Sequence, residues 1–221
     1  MNKHIKTEDL FNCEIDYLKE LFKEEYPWQI LPKIKNFISD FIVDGTRGFF
    51  EIKNGVFVGK NVKIAQTATI EPPAIIGEGC EIRPGAYIRG NVIIGSNCVI
   101  GNSSELKNCI LLNKVQVPHY NYVGDSILGN FAHMGAGSIC SNLKADKKDV
   151  VIHADKPIQT GLRKVGAFLG DGADVGCGSV LNPGTIIGKN SNVYPLSSVR
   201  GVVPANSIYK SANNIVEKKE N

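Results

Sequence analysis

The sequence predicts a mainly β protein, a solenoid of hexapeptide repeats with a small helical segment in front. Two observations carry that reading. An aliphatic residue recurs at every sixth position over much of the chain: Val58, Ile64, Ile70, Ile76, Ile82, Ile88, Ile94, Ile100, Leu106 and Leu112, then again Leu169, Val175, Leu181, Ile187, Val193 and Val199. Many of these positions are followed by glycine, as in IIGEGC, IIGSNC, FLGDGA, DVGCGS and IIGKNS. A helix cannot use a period of six, because successive sixes walk around its surface. A strand that turns a corner can: one side chain per hexapeptide points inward, and the next residue is small where the chain bends.

Residues 1–50 have a different texture. CEIDYLKELFKEEY places Ile15, Leu18, Leu21 and Phe22 at helical spacing. Pro27 and Pro32 can each open a helix, and Ile34, Phe37, Ile38 and Phe41 form one apolar stripe that Asp44–Gly45 would end. This predicts a helical cap over 1–50, the solenoid over 51–210, and a polar tail over 211–221. Within the solenoid the period fades near Pro118, returns at Leu128 and Met134, and fades again. The stretch at about 143–166, containing DVVIHADKPIQTG, reads as a hairpin pushed out of the scaffold, a common position for a functional loop.

Composition narrows the function classes. A net charge of +3 over 221 residues argues against a nucleic-acid or anionic-membrane partner. No stretch approaches the roughly 18 apolar residues of a membrane span, and the polar start MNKHIKTEDLFNCE does not read as a secretory signal. Six scattered cysteines form no CxxC pair. Cys80, Cys98, Cys140 and Cys177 occupy positions where small residues serve and read as reduced packing residues, which suits the cytoplasm.

The repeats resemble those of the left-handed parallel β-helix of the hexapeptide-repeat acyltransferases. Where the rhythm fades, RPGAYIRG, GNSSELKN, HYNYVGDSILG, MGAGSICSNL and DKK follow one another. In that order they resemble the acetyltransferase half of the bifunctional N-acetylglucosamine-1-phosphate uridyltransferase/glucosamine-1-phosphate acetyltransferases. TGLRKVGAFLGDGADVGCGSVLNPGTIIG is closer to the archaeal and bacterial sugar-1-phosphate nucleotidyltransferase/acetyltransferases. The match runs from about residue 55 to 210. The left hand of the coil, a homotrimer and active sites between neighbouring prisms are what the resemblance implies. So is an acetyl-CoA-dependent N-acetyltransferase acting on an amino-sugar 1-phosphate, either glucosamine 1-phosphate or galactosamine 1-phosphate.

The resemblance also implies roles. His119 matches the catalytic histidine, a general base whose ordinary pKa lies near neutrality, oriented by a neighbouring carboxylate or carbonyl. Arg83 and Lys107 match cations that hold the sugar phosphate. Tyr122 and Asn142 match residues that bind the sugar phosphate or position the base. Lys147 and Lys148 align with a lysine reaching a neighbouring subunit's site, with a plain charged loop as the other reading; Arg163 and Lys164 are equally open. Gly135, Ala136 and Gly137 suit a backbone approached closely by coenzyme A, Cys177 and Pro195 fall near coenzyme contacts, and Lys210 is placed to meet a coenzyme phosphate. Direct acetyl transfer needs no metal. His133 stands where the family has asparagine, as a second polar group of the site or as a packing substitution, and Leu143 stands where it has tyrosine.

The nucleotidyltransferase half has no counterpart in the sequence, so this chain alone is expected to transfer no nucleotidyl group; a separate nucleotidyltransferase would be a partner. His119, His133 and His153 are too widely spaced for the zinc site of a γ-class carbonic anhydrase. The alternative is a non-catalytic trimeric module that binds a sugar phosphate or nucleotide sugar.

Overall fold

A computed structural model describes residues 5–41 and 48–219; the Asp44–Gly45 stop lies outside the described residues. Short strands stack into three parallel sheets that run the length of a triangular prism. The first face carries Val56–Val58, Ala74–Ile76, Val92–Ile94, Cys109–Leu111, Ile127–Leu128, Ala167–Leu169, Thr185–Ile187 and Val202–Val203. The second carries the strands from Lys63–Ile64 to Ser207–Ser211, the third those from Thr69–Ile70 to Ser198–Val199. This is the left-handed parallel β-helix of hexapeptide repeats.

Most of the sixfold aliphatics line the inner core, except Ile64, which is exposed in the first coil, and Ile70, which is only partly buried. Ile76, Ile82, Ile88, Ile94, Ile100, Leu106, Leu169, Val175, Leu181, Ile187, Val193 and Val199 all belong to it. The coil does not lapse near Pro118, however; it slips register. Ile94 pairs with Leu111, not Leu112, and Leu106 pairs with Val123. Leu111 pairs in turn with Leu128. The corner between the third and first faces is one residue shorter after Leu106 and again after Val123, so Leu111, Val117, Val123, Met134 and Cys140 continue the core without interruption. Leu112, displaced by one position, packs in a second cluster.

That second cluster makes the first face buried on both sides. Phe57, Ile75, Ile93, Ile110, Ile127, Phe168 and Ile186 point outward from the prism and are covered by the N-terminal segment and the inserted loop. Such two-sided burial turns the strands into continuous apolar runs. Trp28 lies against Phe168, with ring centroids 6.2 Å apart, and Tyr26 stacks on Trp28 at 4.6 Å. Burial of each large apolar side chain contributes about 1.5–3 kcal/mol.

The N-terminal segment is less helical than its spacing predicts. Among the described residues only Thr7–Leu10 and Ile34–Ser39 are α-helical; Asp16–Leu18, Leu21–Lys23, Pro27–Gln29 and Leu31–Lys33 are single 3-10 turns. The apolar positions at helical spacing are buried by docking onto the face, and short turns satisfy that as well as a long helix does. Ile34 and Ile38 are fully buried, as the stripe predicts. The hairpin of the inserted loop pairs Val151–His153 with Pro157–Gln159. The polar tail is partly a strand: Asn214–Glu217 pairs antiparallel with Ser207–Ser211 and covers the last sheet edge.

Cys80, Cys98, Cys109 and Cys140 are buried and unpaired, whereas Cys177 is exposed and is not a packing residue. It sits on a corner, where the side chain points away from the core. Burial pushes the Cys140 thiol up to about 12 and Cys109 higher still. Alkylation at pH 8 is therefore expected to label Cys177 first and the four buried thiols only after unfolding. Mass spectrometry showing Cys140 modified as fast as Cys177 would contradict this packing.

Candidate functional site

The sequence-predicted residues fall on two edges of the prism, joined by the outward surface of the third face. On the edge between the second and third faces, His119 ends the strand Gln116–His119. Its peptide N donates to Asn121 Oδ1 at 3.0 Å, and its carbonyl accepts from Gly137 N at 3.0 Å. Buried Asn121 donates to the Gly135 carbonyl (2.8 Å) and to Ser138 Oγ (3.1 Å), stitching this corner to the next. The imidazole itself is exposed and has no hydrogen-bond partner among the described residues. Among the described residues no carboxylate or carbonyl orients it.

The positions assigned to the coenzyme continue this edge. Gly135, Ala136 and Gly137 form the next corner, and Gly178 N donates to the Ala136 carbonyl at 2.8 Å. Cys177 is on the following corner, its carbonyl accepting from Leu196 N at 2.9 Å, beside Pro195. Lys210 Nζ lies 5.9 Å from the Tyr194 ring centroid at the far end. His119, Ala136, Cys177, Pro195 and Lys210 thus lie in one exposed row, one corner per coil.

On the edge between the third and first faces, a buried carboxylate organises Lys107, Asn108, Asn142 and Tyr122. Asp125 is 5% exposed and has φ of +47°. Its Oδ2 accepts from Lys107 Nζ at 3.3 Å and from Asn142 Nδ2 at 2.5 Å; its Oδ1 accepts from Asn108 Nδ2 at 2.8 Å. Asn142 Nδ2 also donates to the Tyr122 phenol oxygen at 3.1 Å. Gly124 makes room for this: a Cβ there would lie 2.5 Å from the Tyr122 hydroxyl. Burial pushes the Tyr122 phenol above its ordinary pKa, and the Asp125 charge adds to that against the Asn142 hydrogen bond. Tyr122 is therefore a neutral donor, and among the described residues its proton and Asn142 Oδ1 have no partner, so both can point at a ligand. The shortened corners that disturb the sequence period are the ones that bring these groups together.

Arg83 is not part of this network. It belongs to the His119 edge, two coils earlier, and its guanidinium pairs with Glu81 at 3.1 Å. Lys148 is exposed in the inserted loop and its peptide N donates to Asp146 Oδ1 at 3.0 Å; Lys147 is exposed beside it. His133 is not part of the His119 corner either: it faces out from the second sheet, Nδ1 2.8 Å from Asp174 Oδ1, in a ladder with Gln116 and Asn192. Leu143 is exposed and bridges Lys164. Asp125 is the residue that sequence reasoning missed as a site member. The Gly124–Asp125 dipeptide of YVGD, two residues after Tyr122, was the available signal.

Among the described residues no helix is long and apolar enough to cross a membrane, and no group of three His, Cys, Asp or Glu side chains could hold a metal ion.

Residues 70–161 match the family model of the GMPPB C-terminal domain. A bifunctional protein GlmU of Methanococcus maripaludis is 34% identical over 204 residues, which is 89% of this chain and 49% of that protein. A second from the same species is 37% identical over 122 residues, 54% of this chain and 29% of that protein. A bifunctional sugar-1-phosphate nucleotidylyltransferase/acetyltransferase of Sulfurisphaera tokodaii is 34% identical over 109 residues, 49% of this chain and 27% of that protein. The chain spans about half the length of the first of these relatives and less than a third of the other two. Among solved structures, a hexapeptide transferase family protein from Anaplasma phagocytophilum overlaps 75% of this chain and 81% of its own at 18% identity and a TM-score of 0.48.

Proposed function

We propose that this chain, related in sequence to the bifunctional sugar-1-phosphate nucleotidyltransferase/acetyltransferases, is an acetyl-CoA-dependent N-acetyltransferase for an amino-sugar 1-phosphate. The observation that carries the reading is the division of labour between the two edges. One edge holds an exposed imidazole, unpartnered among the described residues, followed by a row of small corner residues. The other holds a fixed donor–acceptor pair, Tyr122 and Asn142, beside a lysine. Amide formation needs both.

In the proposed reaction the acceptor amine attacks the thioester carbonyl of acetyl-CoA. A C–N bond forms, and the C–S bond breaks as coenzyme A leaves. His119 takes the proton that the amine loses. Tyr122 donates to the sugar, and Asn142 Oδ1 accepts from one of its hydroxyls. Lys107 and Arg83 attract the phosphate, although each enters with a carboxylate partner, Asp125 and Glu81. Coenzyme A lies along the row from Ala136 through Cys177 and Pro195 to Lys210. Glucosamine 1-phosphate and galactosamine 1-phosphate are the acceptors to compare.

The homotrimer belongs to the same proposal. An imidazole without an orienting partner among the described residues is poorly positioned, and a neighbouring subunit is where the partner and Lys148 would meet it. Tyr120, Ile139, Tyr194 and Leu196 are exposed along this edge and the third face, Leu196 at 85%; an apolar row of this kind fits a contact between copies. A cytoplasmic setting suits the unpaired buried cysteines.

The test combines turnover and protection. Purified protein with acetyl-CoA and a panel of amino-sugar 1-phosphates is expected to release free thiol with at least one acceptor, to sediment at three chain masses, and to lose Cys177 alkylation when coenzyme A is bound. Binding of a sugar phosphate or nucleotide sugar without any turnover would instead establish the non-catalytic module. A fully active monomer would rule out a shared site.

A further inference from the structure

Asn121 is buried between the proposed base and the proposed coenzyme corner, 2% exposed, and takes no part in the proposed reaction. It stands just before a strand of the third face. The strands of that face pair in register, so the residues just before them stack from coil to coil. From Ala86 onward that column reads Ser104, Asn121, Ser138, Ser179 and Ser197, and among these Asn121 is the one amide. The serines show what the scaffold requires there. Ser104 Oγ donates to the Val117 carbonyl at 2.9 Å, Ser138 Oγ to the Gly135 carbonyl at 2.7 Å, and Ser179 Oγ to the Tyr194 carbonyl at 3.1 Å. One hydroxyl per coil is enough to tie the corner.

An amide carries an acceptor and two donors on one rigid plane, and Asn121 uses both kinds. Its Oδ1 accepts from the His119 peptide N at 3.0 Å. Its Nδ2 donates to the Gly135 carbonyl at 2.8 Å and to Ser138 Oγ at 3.1 Å. The His119 carbonyl accepts in turn from Gly137 N at 3.0 Å. Both backbone polar groups of His119 are therefore fixed, one by the Asn121 side chain and one by the coenzyme corner. Tyr120, between His119 and Asn121, holds a left-handed φ of +51°, a conformation that a residue with a side chain adopts only where its surroundings enforce it. The imidazole is left with only its two side-chain torsions.

We propose that Asn121 is a positioning residue for acyl transfer: its amide sets the His119 backbone against the Gly135–Gly137 corner, so that base and thioester are held at a fixed spacing. The proposal rests on the acetyltransferase reading. Misplacement of a reacting group by about 1 Å can cost on the order of 10² in rate. A buried link between the two corners holds that spacing in a way that an exposed ring cannot.

A double-mutant cycle separates positioning from plain support of the fold. Asn121→Ser gives this coil the residue that its neighbours in the column already carry, and the variant is expected to fold. Its kcat should fall by about 10- to 100-fold, while KM for the acceptor and coenzyme A affinity stay near wild type. In the His119→Ala background the same substitution should change nothing further, because a residue that acts through the base has no effect once the base is gone. Equal losses in the two backgrounds would make Asn121 structural and overturn the proposal, as would wild-type kcat in Asn121→Ser. Amide hydrogen exchange reads the same link without turnover: the His119 N–H should exchange slowly in the wild type and faster in Asn121→Ser. Fast exchange at His119 in the wild type would overturn the proposal whatever the variant does. A wild type that acetylates no acceptor would instead remove the acetyltransferase reading itself, and the positioning role with it, even where the exchange pattern is as expected.

Discussion

Replacing His119 by alanine is expected to lower kcat for acetyl transfer by a factor of about 10² to 10⁴, the usual worth of a positioned general base. The side chain is exposed and its ring bonds nothing among the described residues, so folding should not suffer. The contacts that hold the corner are made by its backbone and by Asn121, and both survive the substitution. Coenzyme A affinity should stay near wild type, because the proposed coenzyme row begins one corner further on. Arg83→Ala gives the informative contrast. Removing a cation that attracts the phosphate in ground and transition states alike should raise KM for the acceptor more than it lowers kcat. Wild-type turnover by His119→Ala together with a lower melting temperature would make the histidine structural.

Asp125→Ala should produce the largest loss of stability among the site variants. It leaves Lys107, Asn108 and Asn142 without their shared acceptor, and the Lys107 ammonium side chain is only 26% exposed. Breaking a buried pair in this way costs about 3 kcal/mol, or roughly 6–12 °C in Tm for a chain of this size. Activity should fall as well, since Asn142 and Tyr122 lose their alignment. Asp125→Asn keeps an acceptor oxygen and should lose about half as much stability, the remainder being the charge. Thermal unfolding of the two variants decides the matter. An unchanged Tm in Asp125→Ala would mean that the network follows the fold and does not support it.

The sequence alone determined the scaffold. A period of six with glycine after the aliphatic position has one physical solution, a solenoid with a core one side chain deep. The positions from Ile76 to Leu106 and from Leu169 to Val199 occupy that core as their spacing requires. The covered face was also written there, in the doubled aliphatics Ile75–Ile76, Ile93–Ile94, Ile110–Leu111 and Ile186–Ile187, one pair per coil. The sixfold pattern alone does not distinguish them, because it samples only the inward member of each pair. The left hand of the coil came from resemblance, since a repeat length does not encode chirality.

Tertiary structure decided the rest. Two corners are one residue short, so Leu111 replaces Leu112 in the core, and what the linear pattern shows as a lapse is a change of register. The helical spacing of Ile15 to Phe22 became 3-10 turns because docking on the first face, and not helix propensity, buries those side chains. Asp125 emerged as the centre of the site only when residues 17 and 18 positions away in sequence stood one coil apart in space. Arg83 and Lys107, alike as cations in the sequence, were assigned to opposite edges. A solenoid sets each corner by counting residues, so a change of one residue in a coil moves every later side chain by a position, and only the stacked coils show which side chains then meet.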